Sequence, residues 1–521
     1  MKIRTVIISI AFCVVLSEQK SSPSDDHYWA GVVEFSYKEK ETEAPDVNTA
    51  KNLERYIELI NSTEADTVDI MVFPEYGLNA IETASFVPAP SERIAPCNNY
   101  EYESIVRDLS CMAKVRQKYL VVNLVEKALC PENDDWRVCA PDGLYRFNTN
   151  VVFDRNGFVI ARYRKYNLFG ERGINTTLSA ESVRFETDFG VTFGTFICFD
   201  LMFENPALQL IRDGVTDIIF TTMWFSELPF LSGVQIQQAW AYQNNVNFLA
   251  SGASHPAIGS TGTGVFAGKH GRIVAVMNYQ ADVKLYVAQV PKIDKPQATI
   301  ARQPIIKYNP SEMSSLKLKR DQIDAYETVN LRLESNSDYK LTLCQNQLCC
   351  NFTLNYTFTL PTSNQQFYRY RLAVHNGIRT FDGFADGTIT TCAIFACAGD
   401  RLESCATRFD NPAATADAFQ FHSIDLHGVF PSSEDVFLLP NSVDMSIMPL
   451  EVDEFVYSER QFVQDSVTYK EIRHTLISPR SDLFSFAIWG RKFVNKDNGA
   501  DAAVVSAVLV LFAFICSFVV M

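Results

Sequence analysis

Histidine is scarce in this chain, and no two cysteines stand in a Cys-x-x-Cys spacing. The second absence argues against a structural zinc site, whose ligands usually include such pairs. The seven histidines (His27, His255, His270, His375, His422, His427 and His474) stand in no recognisable protease context, so a papain-like cysteine–histidine pair has no support here. Basic charge is short as well: 46 Lys and Arg face 61 Asp and Glu, a formal net charge of −15. That balance argues against nucleic acid as a partner and against electrostatic attraction to anionic lipid. There is no internal repeat and no low-complexity tract. What is present is 521 residues, 47% apolar and 21% charged, enough chain for at least two hydrophobic cores.

The two ends carry sorting signals. Met1-Lys2-Ile3-Arg4 precedes an apolar run from Thr5 to Leu16, with Val15 and Ser17 at the −3 and −1 cleavage positions; residues 1–17 read as a secretory signal peptide. At the other end, Ala502 to Met521 is an uncharged run of twenty residues with nothing basic after it. Small residues Asn498-Gly499-Ala500 stand before it. The pattern predicts a glycolipid (GPI) attachment signal over 498–521, with Asn498 as attachment residue and the outer membrane leaflet as a partner; a retained membrane helix is the alternative.

An exported chain matures in an oxidising compartment, where cysteines pair. Removing Cys13 and Cys516 with the two ends leaves eleven of thirteen, an odd number. Six follow Arg302 (Cys344, Cys349, Cys350, Cys392, Cys397 and Cys405), and Cys97, Cys111, Cys130, Cys139 and Cys198 precede it. If each half pairs internally, one of the five is free. Cys198 is the one that ends an apolar strand: Val191, Phe193, Thr195 and Ile197 alternate as in a half-buried strand, and Cys198-Phe199-Asp200 follow. A thiol on a rigid strand end is suited to nucleophilic attack.

Two other strands end in reactive groups. Val68-Asp-Ile-Met-Val-Phe-Pro-Glu75 is an apolar strand with a carboxylate just past it, and Phe158–Phe169 is a strand ending in Arg164-Lys165. Taken singly, each reads as well as a solvated strand-end charge. Together, a glutamate, a lysine and a cysteine each follow a strand within one region of domain size. The blocks Phe73-Pro74-Glu75, Arg164-Lys165 with Asn167-Leu168, and Cys198-Phe199-Asp200 resemble the three signature blocks of the nitrilase (carbon–nitrogen hydrolase) superfamily. Asn148–Asp154, Lys165–Phe169, Phe196–Asp200, Ala239-Trp240-Ala241 and Val246–Ser251 are similar to its vanin and biotinidase branch.

The resemblance implies an α/β four-layer αββα sandwich and a Glu75–Lys165–Cys198 triad. In that reading Cys198 attacks a linear carboxamide and Glu75 accepts its proton, later donating to the departing amine. Lys165 and the backbone N–H of Phe199 stabilise the oxyanion. A thioester forms and is hydrolysed; no metal or organic cofactor is required. Vanin resemblance points to pantetheine, giving pantothenate and cysteamine, and biotinidase resemblance to biotinyl amides. A retired hydrolase fold serving as a cell-surface binding protein is the non-enzymatic alternative. Glu126 lies where many superfamily members place a second glutamate, and it is assigned no role.

Within the first domain, Leu53, Tyr56, Ile57 and Ile60 recur at helical spacing with Asn48 or Thr49 as cap. A strand Ile218–Thr222, a helix from Ser232 to Asn244 and a strand Val246–Ser251 follow. Gly259–Gly264 reads as a turn between strands, since no Lys-Ser/Thr or helix follows it. The expected division is a catalytic domain over 27–295, a proline-bearing linker over 296–310, and a smaller β-rich, disulfide-tied support domain over 311–495. In the latter, Asn351–Leu360 alternates, with Phe352, Leu354, Tyr356, Phe358 and Leu360 inward and Asn351 and Asn355 outward. Asn61, Asn175, Asn351 and Asn355 each begin a glycosylation sequon.

Overall fold

The structure, a computed structural model, describes residues 20–493 apart from 38–41, 132–134, 296–297, 307, 310, 363–364, 412–413 and 432–435. The signal-peptide segment, Asn498 and the C-terminal tail lie outside the described residues.

The first half runs β1 (His27–Phe35), α1 (Pro45–Ile60), β2 (Ile70–Val72), α2 (Ser104–Arg116), β3 (Tyr119–Leu129), β4 (Leu144–Phe153) and β5 (Val159–Arg164). It continues with β6 (Arg184–Glu186), β7 (Thr192–Ile197), β8 (Asp217–Thr222), α3 (Gly233–Asn244) and β9 (Asn247–Gly252). Three further strands complete it: β10 (Thr263–Ala267), β11 (Arg272–Val276) and β12 (Val283–Pro291).

Two six-stranded sheets result, ordered β12-β1-β2-β3-β4-β5 and β11-β10-β9-β8-β7-β6. Each has a parallel centre (β1-β2-β3 and β9-β8-β7) with antiparallel strands outside it. Tyr28, Val32, Val72, Val121, Phe193, Ile219 and Leu249 pack between the sheets. On the outer face of the first sheet, Phe35, Met71 and Phe73 meet Leu53 and Tyr56 of α1 and Leu109 of α2. Phe196, Phe220 and Phe248 meet Trp240 of α3 on the outer face of the second. This is the αββα sandwich.

Several expectations need correction. β7 is not half-buried: Phe193 faces the other sheet while Phe196 packs under α3, so both faces are covered. The cap of α1 is Ala44, with Pro45 in the first turn, where a missing N–H costs nothing; Asn48 and Thr49 lie inside the helix. α3 occupies the expected span, and its residues 233–241 are all buried. Gln235, Gln237 and Gln238 are buried and donate to Asn441, Gly262 and Leu450. Residues of the second half cover its outer side.

That second half is a β-sandwich. It comprises β13 (Glu327–Asn330), β14 (Asn336–Gln345), β15 (Leu348–Phe358), β16 (Arg369–Phe381) and β17 (Ala385–Cys397). β18 (Phe419–Pro431), β19 (Val436–Asp444), β20 (Phe455–Gln464), β21 (Val467–Leu476) and β22 (Leu483–Lys492) follow. Sheets β13-β16-β17-β22-β19 and β14-β15-β18-β21-β20 enclose an aromatic core. In β15, Phe352, Leu354 and Tyr356 point inward as expected, but Leu360 lies past the strand end and is 73% exposed.

The disulfides are Cys97–Cys111, Cys130–Cys139, Cys344–Cys349, Cys350–Cys392 and Cys397–Cys405. Each half pairs internally. The adjacent Cys349 and Cys350 face opposite ways: Cys349 closes its own hairpin, while Cys350 bridges to β17 in the facing sheet. Among the described residues Cys198 is the free cysteine, and it is buried.

Candidate active site

β2, β5, β7 and β8 end at one edge of the stacked sheets, beside Asn148 in the middle of β4. Cys198 stands at the first turn after β7 with a φ of 48°, left-handed backbone that a non-glycine residue rarely adopts. Asp200 holds this turn. Its Oδ2 accepts from the N–H of Ile197 (3.1 Å) and the hydroxyl of Tyr163 (2.7 Å), and its Oδ1 accepts from the N–H (2.9 Å) and Nδ2 (2.8 Å) of Asn167. One carboxylate thus ties the cysteine turn to the segment carrying Lys165. Burial pushes Asp200 up to about 6, against the pull of these donors.

Glu75, Lys165 and Cys198, predicted as a set, do come together. Lys165 Nζ donates to Glu75 Oε1 at 2.8 Å, and Asn148 Nδ2 donates to the same oxygen at 2.7 Å. The backbone N–H of Met223, just past β8, donates to Glu75 Oε2 at 2.7 Å. The Cys198 sulfur lies 3.8 Å from the carbonyl oxygen of Met223. Both carboxylate oxygens are therefore engaged, and the sulfur and the carboxylate meet across one residue.

Electrostatics define the resting state. Burial, then the charge of Glu75, push the Cys198 thiol well above its ordinary range, and Lys165 only partly offsets them. The ammonium still favours the thiolate form, and the thiol relies on a base for its ionisation. Burial acts to lower Lys165, but the Glu171 and Glu75 carboxylates beside it outweigh that and raise it well above its usual value. The site holds a fixed ammonium, a carboxylate able to take a proton, and a thiol that needs a base.

Sequence reasoning missed part of the machinery. Glu171, six residues beyond Lys165, accepts from Nζ at 2.5 Å. Glu126 instead takes Arg164 Nε at 2.9 Å and Thr149 Oγ1 at 2.9 Å, with Arg162 at 3.2 Å; it braces the end of β5 and the lysine's second acid comes from elsewhere. Beneath the site, Asn123 Nδ2 donates to Asn148 Oδ1 (2.7 Å) and Asn150 Oδ1 (3.1 Å), and Asn150 Nδ2 donates to Thr195 Oγ1 (2.9 Å). Asparagine is disfavoured inside strands, so three of them in β3 and β4 are the signal that could have exposed this network. His255, in the β9–β10 connection, lies against Tyr37 with ring centroids 4.2 Å apart and ring planes tilted by 59°. Among the described residues it makes no hydrogen bond to the three catalytic candidates, and burial lowers its basicity.

Of the sequon asparagines, Asn61 and Asn351 are exposed and Asn175 and Asn355 half-buried. Asn175 Nδ2 donates to the carbonyl of Val138 at 3.0 Å.

Such a sandwich, with these three groups at one edge, defines a hydrolase of carbon–nitrogen bonds. Residues 42–285 match the carbon-nitrogen hydrolase family and residues 316–496 the vanin C-terminal domain. The chain is 39% identical to Vanin-like protein 1 of Drosophila melanogaster over 94% of its own length and 90% of that protein's. It is 32% identical to Pantetheinase of Homo sapiens, covering 69% of this chain and 72% of the relative. Biotinidase of Bos taurus is 29% identical, with 79% and 82% covered. The chain belongs to the vanin-like branch of the carbon–nitrogen hydrolases.

Proposed function

We propose that this enzyme cleaves a linear amide through a Cys198 thioester, with pantetheine as the substrate. The observation that carries the reaction type is the shared carboxylate: Glu75 touches Lys165 and Met223 while Cys198 lies against Met223. On substrate binding, Glu75 takes the thiol proton as sulfur attacks the carbonyl carbon. Lys165 and the Phe199 N–H stabilise the oxyanion; the carbon–nitrogen bond then breaks and Glu75 delivers its proton to the amine. Water, deprotonated by Glu75, displaces the thiol from the thioester and releases the acid.

The cavity beside the site supports this choice of acyl group. It measures about 480 Å³ and is lined by Tyr37, Asn48, Asn52, Tyr76, Asn79 and Met223. Amide and phenol side chains suit an acyl chain bearing hydroxyl and amide groups, as pantothenate does. The similarity to biotinidase over 79% of the chain favours biotinyl amides as the second reading. A release assay comparing pantetheine with biotinyl-lysine decides between them. Cleavage of neither, by protein whose Cys198 is intact, would leave the retired binding protein.

The same reading places the enzyme outside the cell. Five disulfides support an oxidising compartment, and exposed Asn61 and Asn351 are the favoured glycan sites. Tethering through Asn498 predicts release from cell surfaces by phosphatidylinositol-specific phospholipase C. An intact Met521 on the membrane-bound form would show a retained helix instead.

A further inference from the structure

The turn that carries Cys198 is gripped from both halves of the chain. It runs from Cys198 to Met202, and all five of its residues are buried. In so short a helical turn the first N–H groups and the last carbonyls find no partner inside it. Asp200 secures its front through the N–H of Ile197. At its back, the Met202 carbonyl accepts from Nε of Arg491 at 3.0 Å. Arg491 belongs to β22, 289 residues further along the chain.

Arg491 is itself tightly held. β22 lies between β17 and β19, where Arg491 stands opposite Ile389 on one side and Phe437 on the other. The residue is 1% exposed. Its guanidinium carbon lies 5.6 Å from the ring centre of Phe203, 5.3 Å from that of Phe381 and 5.4 Å from that of Phe493. Gly387 makes the room, since a Cβ there would collide with Nη1. A planar guanidinium packed among rings keeps its donors aimed better than a flexible ammonium would. The second sandwich thus delivers a fixed donor to the nucleophile's turn.

Phe199, the second residue of this turn, supplies the N–H assigned to the oxyanion. Such a donor works only if it is in place before the charge develops. Cys198 beside it keeps a φ of 48°, a conformation that its surroundings must impose. Asp200 constrains the front of the turn and Arg491 the back, so Phe199 lies between two fixed points. Releasing the back lets the turn drift by a fraction of an ångström. Drift of that size weakens a hydrogen bond made in the transition state far more than it disturbs a bound ground state.

We infer that Arg491 is a positioning residue for amide cleavage: through the Met202 carbonyl it holds the turn that presents the Phe199 N–H to the oxyanion. The C-terminal sandwich then contributes to catalysis, beyond the support role expected for it. This rests on the carbon–nitrogen hydrolase reading of the same site.

The test uses three variants of the full chain. Arg491→Met keeps apolar bulk and removes the donor, and Arg491→Lys keeps a donor. Glu451→Gln weakens the ion pair with Arg272 elsewhere between the two halves. Turnover is measured on whichever of pantetheine and biotinyl-lysine the wild type cleaves, beside inhibition by the aldehyde of the same acid. In that complex the Cys198 sulfur bonds to the aldehyde carbon, the thiol proton passes to Glu75, and the aldehyde oxygen becomes an oxyanion. Hydrogen exchange over 198–203 reads the turn without turnover, and iodoacetamide labelling reads the thiol. Arg491→Met is expected to lower kcat by about tenfold or more and to weaken aldehyde inhibition by a similar factor. KM and labelling should stay within about twofold, and exchange in the turn should quicken. Arg491→Lys should recover part of each loss, and it carries the comparison if Arg491→Met does not fold; Glu451→Gln should change none. Losses in kcat and aldehyde affinity no greater than those of Glu451→Gln would overturn the assignment, as would a loss confined to KM or to labelling. A wild type that cleaves no amide and binds neither aldehyde would refute the reaction itself, and faster exchange in Arg491→Met would then mark Arg491 as an anchor of the fold alone.

Discussion

Glu171 Oε1 lies 2.5 Å from the Nζ of Lys165, on the side of the ammonium that Glu75 does not occupy. Two carboxylates thus share one buried ammonium, and removing a proton from it would leave both without that countercharge. The arrangement keeps Lys165 charged while Glu75 cycles between its protonation states. When Glu75 takes the thiol proton, Glu171 still compensates the lysine.

Glu171→Gln should therefore lower kcat by about tenfold, an amount typical of one charge lost beside a reacting group. It should also bring the alkaline limb of the kcat/KM profile to lower pH, because the lysine loses the strongest influence raising it. Glu126→Gln, which loosens only the Arg164 brace, should leave that limb in place. Identical pH profiles for wild type and Glu171→Gln would remove Glu171 from the electrostatic argument.

Glu75→Gln separates thiol chemistry from catalysis. Losing the base should reduce turnover by about a hundredfold or more, yet the glutamate's negative charge is one reason the thiol is pushed up. Without it the thiolate fraction at neutral pH rises, so iodoacetamide should label Cys198 faster in Glu75→Gln than in wild type. Slower labelling would mean that Glu75 already ionises the thiol at rest. Lys165→Ala should act oppositely on labelling and lower kcat more than it raises KM.

The three candidate catalytic residues were legible because each follows an apolar strand and stands in a block that resembles the nitrilase signatures; the strand ends alone read as well as solvated charges. Glu171 was not, because its role depends on the loop after Lys165 folding back, which no local pattern encodes. Nor was Met223, which contributes through its backbone. The alternation of Val191, Phe193 and Ile197 exposed one face of β7 and concealed the other, since Phe196 belongs to a second layer of packing. Cysteine parity left one of the five N-terminal cysteines unpaired and the strand end pointed to Cys198, but the partners of Cys349 and Cys350 stayed open, because opposite faces of one strand decide them.

Those two neighbours should differ in what they stabilise. Cys350–Cys392 closes a separation of 42 residues and joins facing sheets, whereas Cys344–Cys349 closes a separation of 5 within one hairpin. Loop-closure entropy gives about 4 kcal/mol for the first and about 2 kcal/mol for the second. Paired Cys→Ala replacements followed by denaturant unfolding should preserve this order. A greater loss on removing the hairpin disulfide would contradict it.

Buried carboxylates other than Glu75 set the pH dependence of stability. Glu34, held by Thr261 and Thr263, is raised to about 7, Asp444 to about 7, and Asp200 and Asp217 to about 6, with burial the main cause in each. A carboxyl whose folded value lies above its unfolded value stabilises the fold below the unfolded value. That contribution is lost as pH rises toward the folded one, at about 1.4 kcal/mol per pH unit per group. The window therefore runs from about pH 4 to about pH 7. His474, lowered to about 3 by burial, acts oppositely below its unfolded value, but it is one strongly shifted base against four acids. Carboxyls held low, such as Asp135 at about 2, are ionised in both states above about pH 5 and add little slope from there to about pH 7. Tm should fall between about pH 5 and about pH 7 and level off above that. Glu34→Gln, which leaves no ionisable group beside Thr261, should reduce the slope. A Tm that rises throughout that interval, or a slope unchanged in Glu34→Gln, would show that these acids are not raised in the folded protein.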